Sequence, residues 1–163
     1  EGTRVVLPTQ MFETHHRLHL GKTDFELIFT APAHTPGDIM VWLPQSRVVF
    51  SGDIVFTDRL LGVLPFSSVA GGISSFDAMA ALSPVRIVPG HGAVCDLEKA
   101  RRETRDYLVL LHDHMKRAVD AGEDLQTALN TLDQSAYSKL PNFDLLSGGN
   151  ASRAYLEAEA AAF

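Results

Sequence analysis

"FELIFTAPAHTPGDIMVWLP" (residues 25–44) decides how this chain is read. Two hydrophobic runs, 25–33 and 39–44, flank the five residues His34-Thr35-Pro36-Gly37-Asp38. Short runs rich in Ile, Phe, Val and Trp read as strands, and Pro-Gly marks a turn between them. The stretch therefore presents an imidazole and a carboxylate where one strand stops and the next starts. Loops at strand ends are where a rigid scaffold displays functional groups.

Two later segments share the design. "FSGD" (50–53) and "PGHG" (89–92) each follow a β-like run and place an Asp or a His at a strand end beside glycine. Glycine lets the backbone turn sharply and approach another group closely. His34, Asp53 and His91 then offer a nitrogen, an anionic oxygen and a second nitrogen. That donor set suits zinc, and also iron or manganese. Taken singly, each of the three is equally a hydrogen-bonded turn residue.

The order "HTPGD … SGD … PGHG" resembles the C-terminal half of the metallo-β-lactamase-fold hydrolases, closest to the glyoxalase-II-like and general metallohydrolases. The resemblance extends from the hairpin at 16–30 to the closing "NASRAYLEAE" helix. It implies a fold that is half of an αββα sandwich: α/β, with a mainly antiparallel sheet followed by helices. It implies that His34 ligates a first metal, that Asp53 bridges both metals and is central to catalysis, and that His91 ligates the second. Two Zn2+ ions are the implied cofactor, with Fe or Mn as substitutes. The implied reaction is hydrolysis of an ester, thioester or amide in a small-molecule substrate by metal-bound hydroxide. The family's His-x-His-x-Asp-His motif is absent. "ETHHRLHL" (13–20) carries His15, His16 and His19 but lacks its acidic partner and spacing, and these read as surface histidines. The chain is thus read as a single unit, 1–163, forming the C-terminal portion of the fold. On its own it is expected to be inactive. The rival is a non-catalytic remnant or subunit. Half a sandwich exposes an apolar sheet face, so a homodimer or higher oligomer is expected through that face.

The remaining sequence places these motifs. With 163 residues and 45% hydrophobic content, one unit with a real core is possible. The net charge is −6, and Lys and Arg are scattered, which gives no nucleic-acid groove. No apolar run reaches the ~20 residues that span a bilayer, and no signal peptide is visible. One cysteine, Cys95, gives no disulfide framework. It reads as a small buried hydrophobe and leaves the compartment open between cytoplasm and periplasm. Residues 1–56 read as strand-rich, with a hairpin turn at Gly21. Residues 57–73, "TDRLLGVLPFSSVAGGI", read as a long apolar loop that lines a pocket or covers the sheet. "SSFDAMAAL" (74–82) reads as a short helix. Helical spacing then runs from an N-cap at Asp96 to a stop at Gly122, with further helices at 124–132 and 150–163, the last capped by Asn150. Asp38 is either an orienting carboxylate or a turn acceptor. Arg59 reaches Asp53 or a substrate anion, or is held in a structural ion pair. His112 and His114 stand two apart on a helix and so face apart.

Overall fold

The computed structural model describes residues 2–162. Five strands make one sheet in chain order: β1 (His15–Leu20), β2 (Thr23–Ile28), β3 (Met40–Leu43), β4 (Val48–Phe56) and β5 (Arg86–His91). The first four form an antiparallel meander, and β5 pairs parallel to β4. The β1–β2 hairpin closes over Gly21 at φ 63°, the left-handed conformation that tight hairpin turns demand. Parallel neighbours need a crossover, and helix α1 (Val69–Ala81) provides it.

Helix α1 covers one face of the sheet. Its Phe76 and Met79 are buried with Met40, Trp42, Val49 and Ile87 in one core cluster. Those four strand residues alternate with a second set on the opposite face. There the cross-strand register aligns Leu18 with Phe25, and Leu27, Val41, Phe50 and Val88 in a row. Leu18 and Phe50 on this second face are exposed. The mixed α/β architecture, a largely antiparallel sheet followed by helices, is the one expected.

Beyond β5 the chain is helical. Asp96 caps α2 (Leu97–Ala100) by accepting from the Lys99 backbone N–H at 2.8 Å. A π-helical turn (Arg101–Arg105) comes directly after it, and α3 (Asp106–Asp120) continues that turn, with Gly122 at φ 72° just beyond the stop. Then come α4 (Leu125–Thr131), capped by Asp124, and α5 (Phe143–Ala162). Tyr107, Leu111 and Met115 of α3 pack with Ala151, Ala154 and Tyr155 of α5 and with Leu60 and Leu61 in the second core cluster.

Four boundaries differ from those expected of the sequence. Residues 2–14 carry no strand, so the strand-rich part starts at His15; Glu1 lies outside the described residues. The long loop ends at Ser68 rather than 73, because Ser68 caps α1 by accepting from the Gly71 N–H at 2.9 Å. Gly71-Gly72 argues against a helix by propensity, but both glycines serve packing. A Cβ on Gly71 would lie 1.8 Å from the Pro32 carbonyl oxygen, and one on Gly72 would lie 3.0 Å from Leu108. The last helix starts at Phe143, so Asn150 is interior to it rather than its cap. Buried Asn150 accepts from Val63 N–H at 2.7 Å and donates to Leu61 C=O at 2.8 Å. It ties the loop 57–68 to α5. Finally, Asp53 is inside β4, not at its end. The end of the last helix at Phe163 lies outside the described residues.

Candidate functional site

The site sits where β4 departs from regular pairing. The β4–β5 register slips between Phe50 and Gly52 and again between Gly52 and Phe56. Such bulges re-aim side chains and cluster near functional sites. Gly52 takes φ 52°, a conformation that L side chains resist. Asp53 comes next in the chain. Its carboxylate stands between two imidazoles: His34 Nε2 is 3.6 Å from Oδ2, and His91 Nε2 is 3.7 Å from Oδ1. The three residues are thus brought together, one from the β2–β3 connection, one from β4 and one from the end of β5. His34 is the most enclosed, and Asp53 and His91 remain open to solvent.

The surroundings fix each group in turn. The backbone of β5 passes so close to Asp53 that a Cβ on Gly90 would lie 2.0 Å from Oδ1. The His91 carbonyl accepts from Thr57 N–H at 2.9 Å. Beside it, Asp58 accepts from Ala93 N–H at 3.0 Å and from Lys99 Nζ at 2.5 Å. The Ala93 amide first, then the Lys99 ammonium, hold the Asp58 carboxyl below the usual carboxylate range. At His34, the main chain is gripped by the start of α1. Ser67 Oγ donates to the His34 carbonyl at 2.7 Å, and Ser68 N–H donates to the Ala33 carbonyl at 2.8 Å. Glu157 of α5 accepts from Ser68 Oγ, Val69 N–H and Ala70 N–H at 2.7–3.1 Å. It therefore anchors the N-terminus of α1, where a carboxylate is favoured.

Asp38 is the turn acceptor of the two readings. It accepts from Thr35 N–H at 2.5 Å and Thr35 Oγ1 at 2.7 Å. Arg59 is not in an ion pair with a carboxylate among the described residues. With the Asn142 amide oxygen turned toward it, its Nε and Nη2 donate at 3.2 and 3.0 Å. His15 and His19 stay on exposed β1, against Glu26 and Asp24. His112 sits beside Asp113, and His114 contacts the Ala128 carbonyl. Cys95 is buried, and loss of solvent pushes its thiol pKa up.

Beneath His34 and Asp53 lies a recess of about 20 Å3, lined by Phe56, Leu61, Val63, Val69 and Leu108. A space of this size holds about one water. The loop 57–68 thus does contribute an apolar wall to the site. Sequence reasoning missed Phe56, Ser67, Thr104 and Glu157. Phe56 lies three residues after Asp53 on the same strand, Ser67 lies in the long apolar loop, and Thr104 falls in the helical spacing from Asp96.

Among the described residues, no group of three or more His, Cys, Asp or Glu side chains can hold a metal ion by itself. The geometry gives the reason. The histidines address different oxygens of Asp53, so the donors form two pairs, His34–Asp53 and Asp53–His91. Each pair supplies one nitrogen and one oxygen. Structural zinc takes about four donors, so each pair supplies part of what one ion would need.

Residues 5–91, just over half of the chain, match the family described as the metallo-beta-lactamase superfamily. Among curated proteins, the beta-lactamase-like protein 2 homolog of Caenorhabditis elegans is 27% identical over 96 residues, 53% of this chain and 32% of its own length. The acyl-coenzyme A thioesterase MBLAC2 of Homo sapiens is 23% identical over 64% of this chain and 39% of its own length. The chain spans about a third of the length of the curated relatives it matches. Among solved structures, the inverting sec-alkylsulfatase Pisa1 of Pseudomonas sp. superimposes with a TM-score of 0.69 at 15% identity, covering 89% of this chain and 25% of that one. A metallo-beta-lactamase from Pontibacter korlensis gives 0.57 at 23% identity, covering 63% and 49%. These likenesses show the fold.

Proposed function

Because the chain belongs to the metallo-beta-lactamase superfamily, we propose that it supplies one side of a two-metal hydrolase centre. His34 and Asp53 hold one ion, Asp53 and His91 the other, and zinc is the ion that the donor set suits best. One observation carries this reading: a single carboxylate offers a different oxygen to each of two imidazoles. When bound, such ions activate water and polarise a carbonyl. The substrate class is an ester, thioester or amide, and the likeness to an acyl-coenzyme A thioesterase supports a thioester among these.

The chain's own residues have definite tasks in this scheme. Both imidazoles turn Nε2 toward Asp53, the atom through which each would bind an ion. Asp53, standing between the two imidazoles, would hold both ions. Its partial exposure leaves a solvent-side approach for substrate. Leu61, Val63 and Val69 line the closed side and restrict the water there.

Elemental analysis after equilibration with Zn2+ tests the assignment. Asp53→Ala is expected to abolish zinc uptake, whereas His34→Ala and His91→Ala each weaken it by disabling one pair. Unchanged zinc content in Asp53→Ala would remove Asp53 from the site.

A second reading, a non-catalytic oligomer, is favoured by one observation. The row Leu27, Val41, Phe50 and Val88 crosses the sheet face that α1 does not cover. A second copy of this chain is the proposed occupant, and light scattering distinguishes a dimer from a monomer.

A further inference from the structure

Phe56 occupies a place in the site that no metal-ligating role explains. Its ring lies 4.7 Å from that of His91 at an interplanar angle of 22°, a stacked pair. The same ring lies 5.4 Å from that of His34 at 49°. Aromatic rings at such separations attract beyond simple burial. Phe56 is buried, whereas His91 is partly open. One enclosed ring therefore touches both imidazoles. The contact with His91 is built into the sheet, because Phe56 and His91 are register partners across β4 and β5.

Phe56 lies at the last step of β4, beyond two register slips, and pairs there with His91. Thr104 holds the same residue from the helical side. Its hydroxyl accepts from Phe56 N–H at 3.1 Å and donates to Phe56 C=O at 2.6 Å. One buried side chain thus satisfies both backbone groups of the residue. Thr104 stands in the π-helical turn Arg101–Arg105, between α2 and α3. A π turn inserts a residue into an α-helix and so rotates the next helical turn about the axis, and such turns are frequent at functional sites.

We propose that Phe56 is a positioning residue for both imidazoles, and that Thr104 in the π turn sets Phe56. The helix thereby reaches the site through one hydroxyl and one ring, without touching the metal positions. The proposal rests on the reading of His34 and His91 as ligands, but its geometric part is measurable without metal.

Two readouts on the full chain separate the two ideas. The first is the 1H–13C NMR signals of the His34 and His91 rings without metal. In the wild type, ring current from Phe56 displaces the His91 ring protons from their exposed-histidine positions. Phe56→Leu abolishes the displacement, Thr104→Val alters it for both rings, and Thr104→Ser, which keeps the hydroxyl, restores it. The second is affinity for Zn2+ alone, expected to fall about tenfold or more in Phe56→Leu and Thr104→Val and to hold in Thr104→Ser, the scale on which groups that orient metal ligands act. Circular dichroism confirms that each variant folds. Wild-type His91 signals at exposed-histidine positions would overturn the proposal even if no variant folds. So would wild-type ring signals and zinc affinity in a folded Thr104→Val. If the wild type takes up no zinc while the NMR pattern holds, the metal assignment fails and the positioning stands.

Discussion

At the scale of single residues, the site depends on what is small as much as on what is polar. Gly90 is the sharpest case, since any Cβ there collides with Asp53 Oδ1 or with the Gly52 backbone. Gly90→Ala must push β5 away from Asp53 and widen the spacing to His91. Its expected effect is a stability loss of about 1–3 kcal/mol, the range for overpacking, together with weaker zinc binding; thermal melts and a zinc titration measure both. Asp58 gives a pH prediction. Its folded carboxyl titrates below the ordinary ~3.9 of an aspartate. The stabilisation is therefore full above that value and is lost as pH falls through the lower folded value. The protection factor of the Ala93 amide is expected to fall as pH drops through the lowered Asp58 carboxyl value, and Asp58→Asn is expected to remove that dependence. The histidines and the aspartate of the site were legible as motifs because glycines accompany them. Thr104 was legible only as a step in the helical spacing that runs on from Asp96, and nothing in that spacing ties its hydroxyl to Phe56.

Among the elements, α1 is the part whose start governs the site. Its first turn holds the His34 loop through Ser67 and Ser68 and is itself held by Glu157. Glu157→Ala leaves two backbone donors and a hydroxyl without their acceptor, at a cost of about 1–3 kcal/mol. His34 is expected to loosen with it, so zinc affinity falls although Glu157 never meets the ion. Glu157→Gln retains part of the acceptor role and should lie between. The strands and the Asp96 cap could be read from alternation and capping chemistry. The start of α1 could not, because Gly71-Gly72 reads as a loop until the Pro32 carbonyl is seen pressing on it. Asn150 misled for a related reason. An Asn ahead of an Ala-rich run looks like a cap, yet its bonds go to Val63 and Leu61 across the core.

For the whole molecule, both faces of the sheet are apolar but only one is covered by a helix within residues 2–162. Met40, Trp42, Val49 and Ile87 are sealed by α1, while Leu18 and Phe50 on the other face are exposed. Phe50→Lys should therefore improve solubility and shift any dimer toward monomer in light scattering, leaving zinc uptake intact. The order of strands and helices was readable from the change of period at Asp96. The bulge that carries Asp53 into the middle of β4 was not, since it depends on pairing with β5. The account as a whole stands on Asp53 addressing two metal positions at once. X-ray absorption or anomalous diffraction of the Zn2+-equilibrated chain tests this most directly. The predicted result is zinc coordinated by Asp53 with His34, His91 or both; zinc bound elsewhere with Asp53 uncoordinated would contradict it.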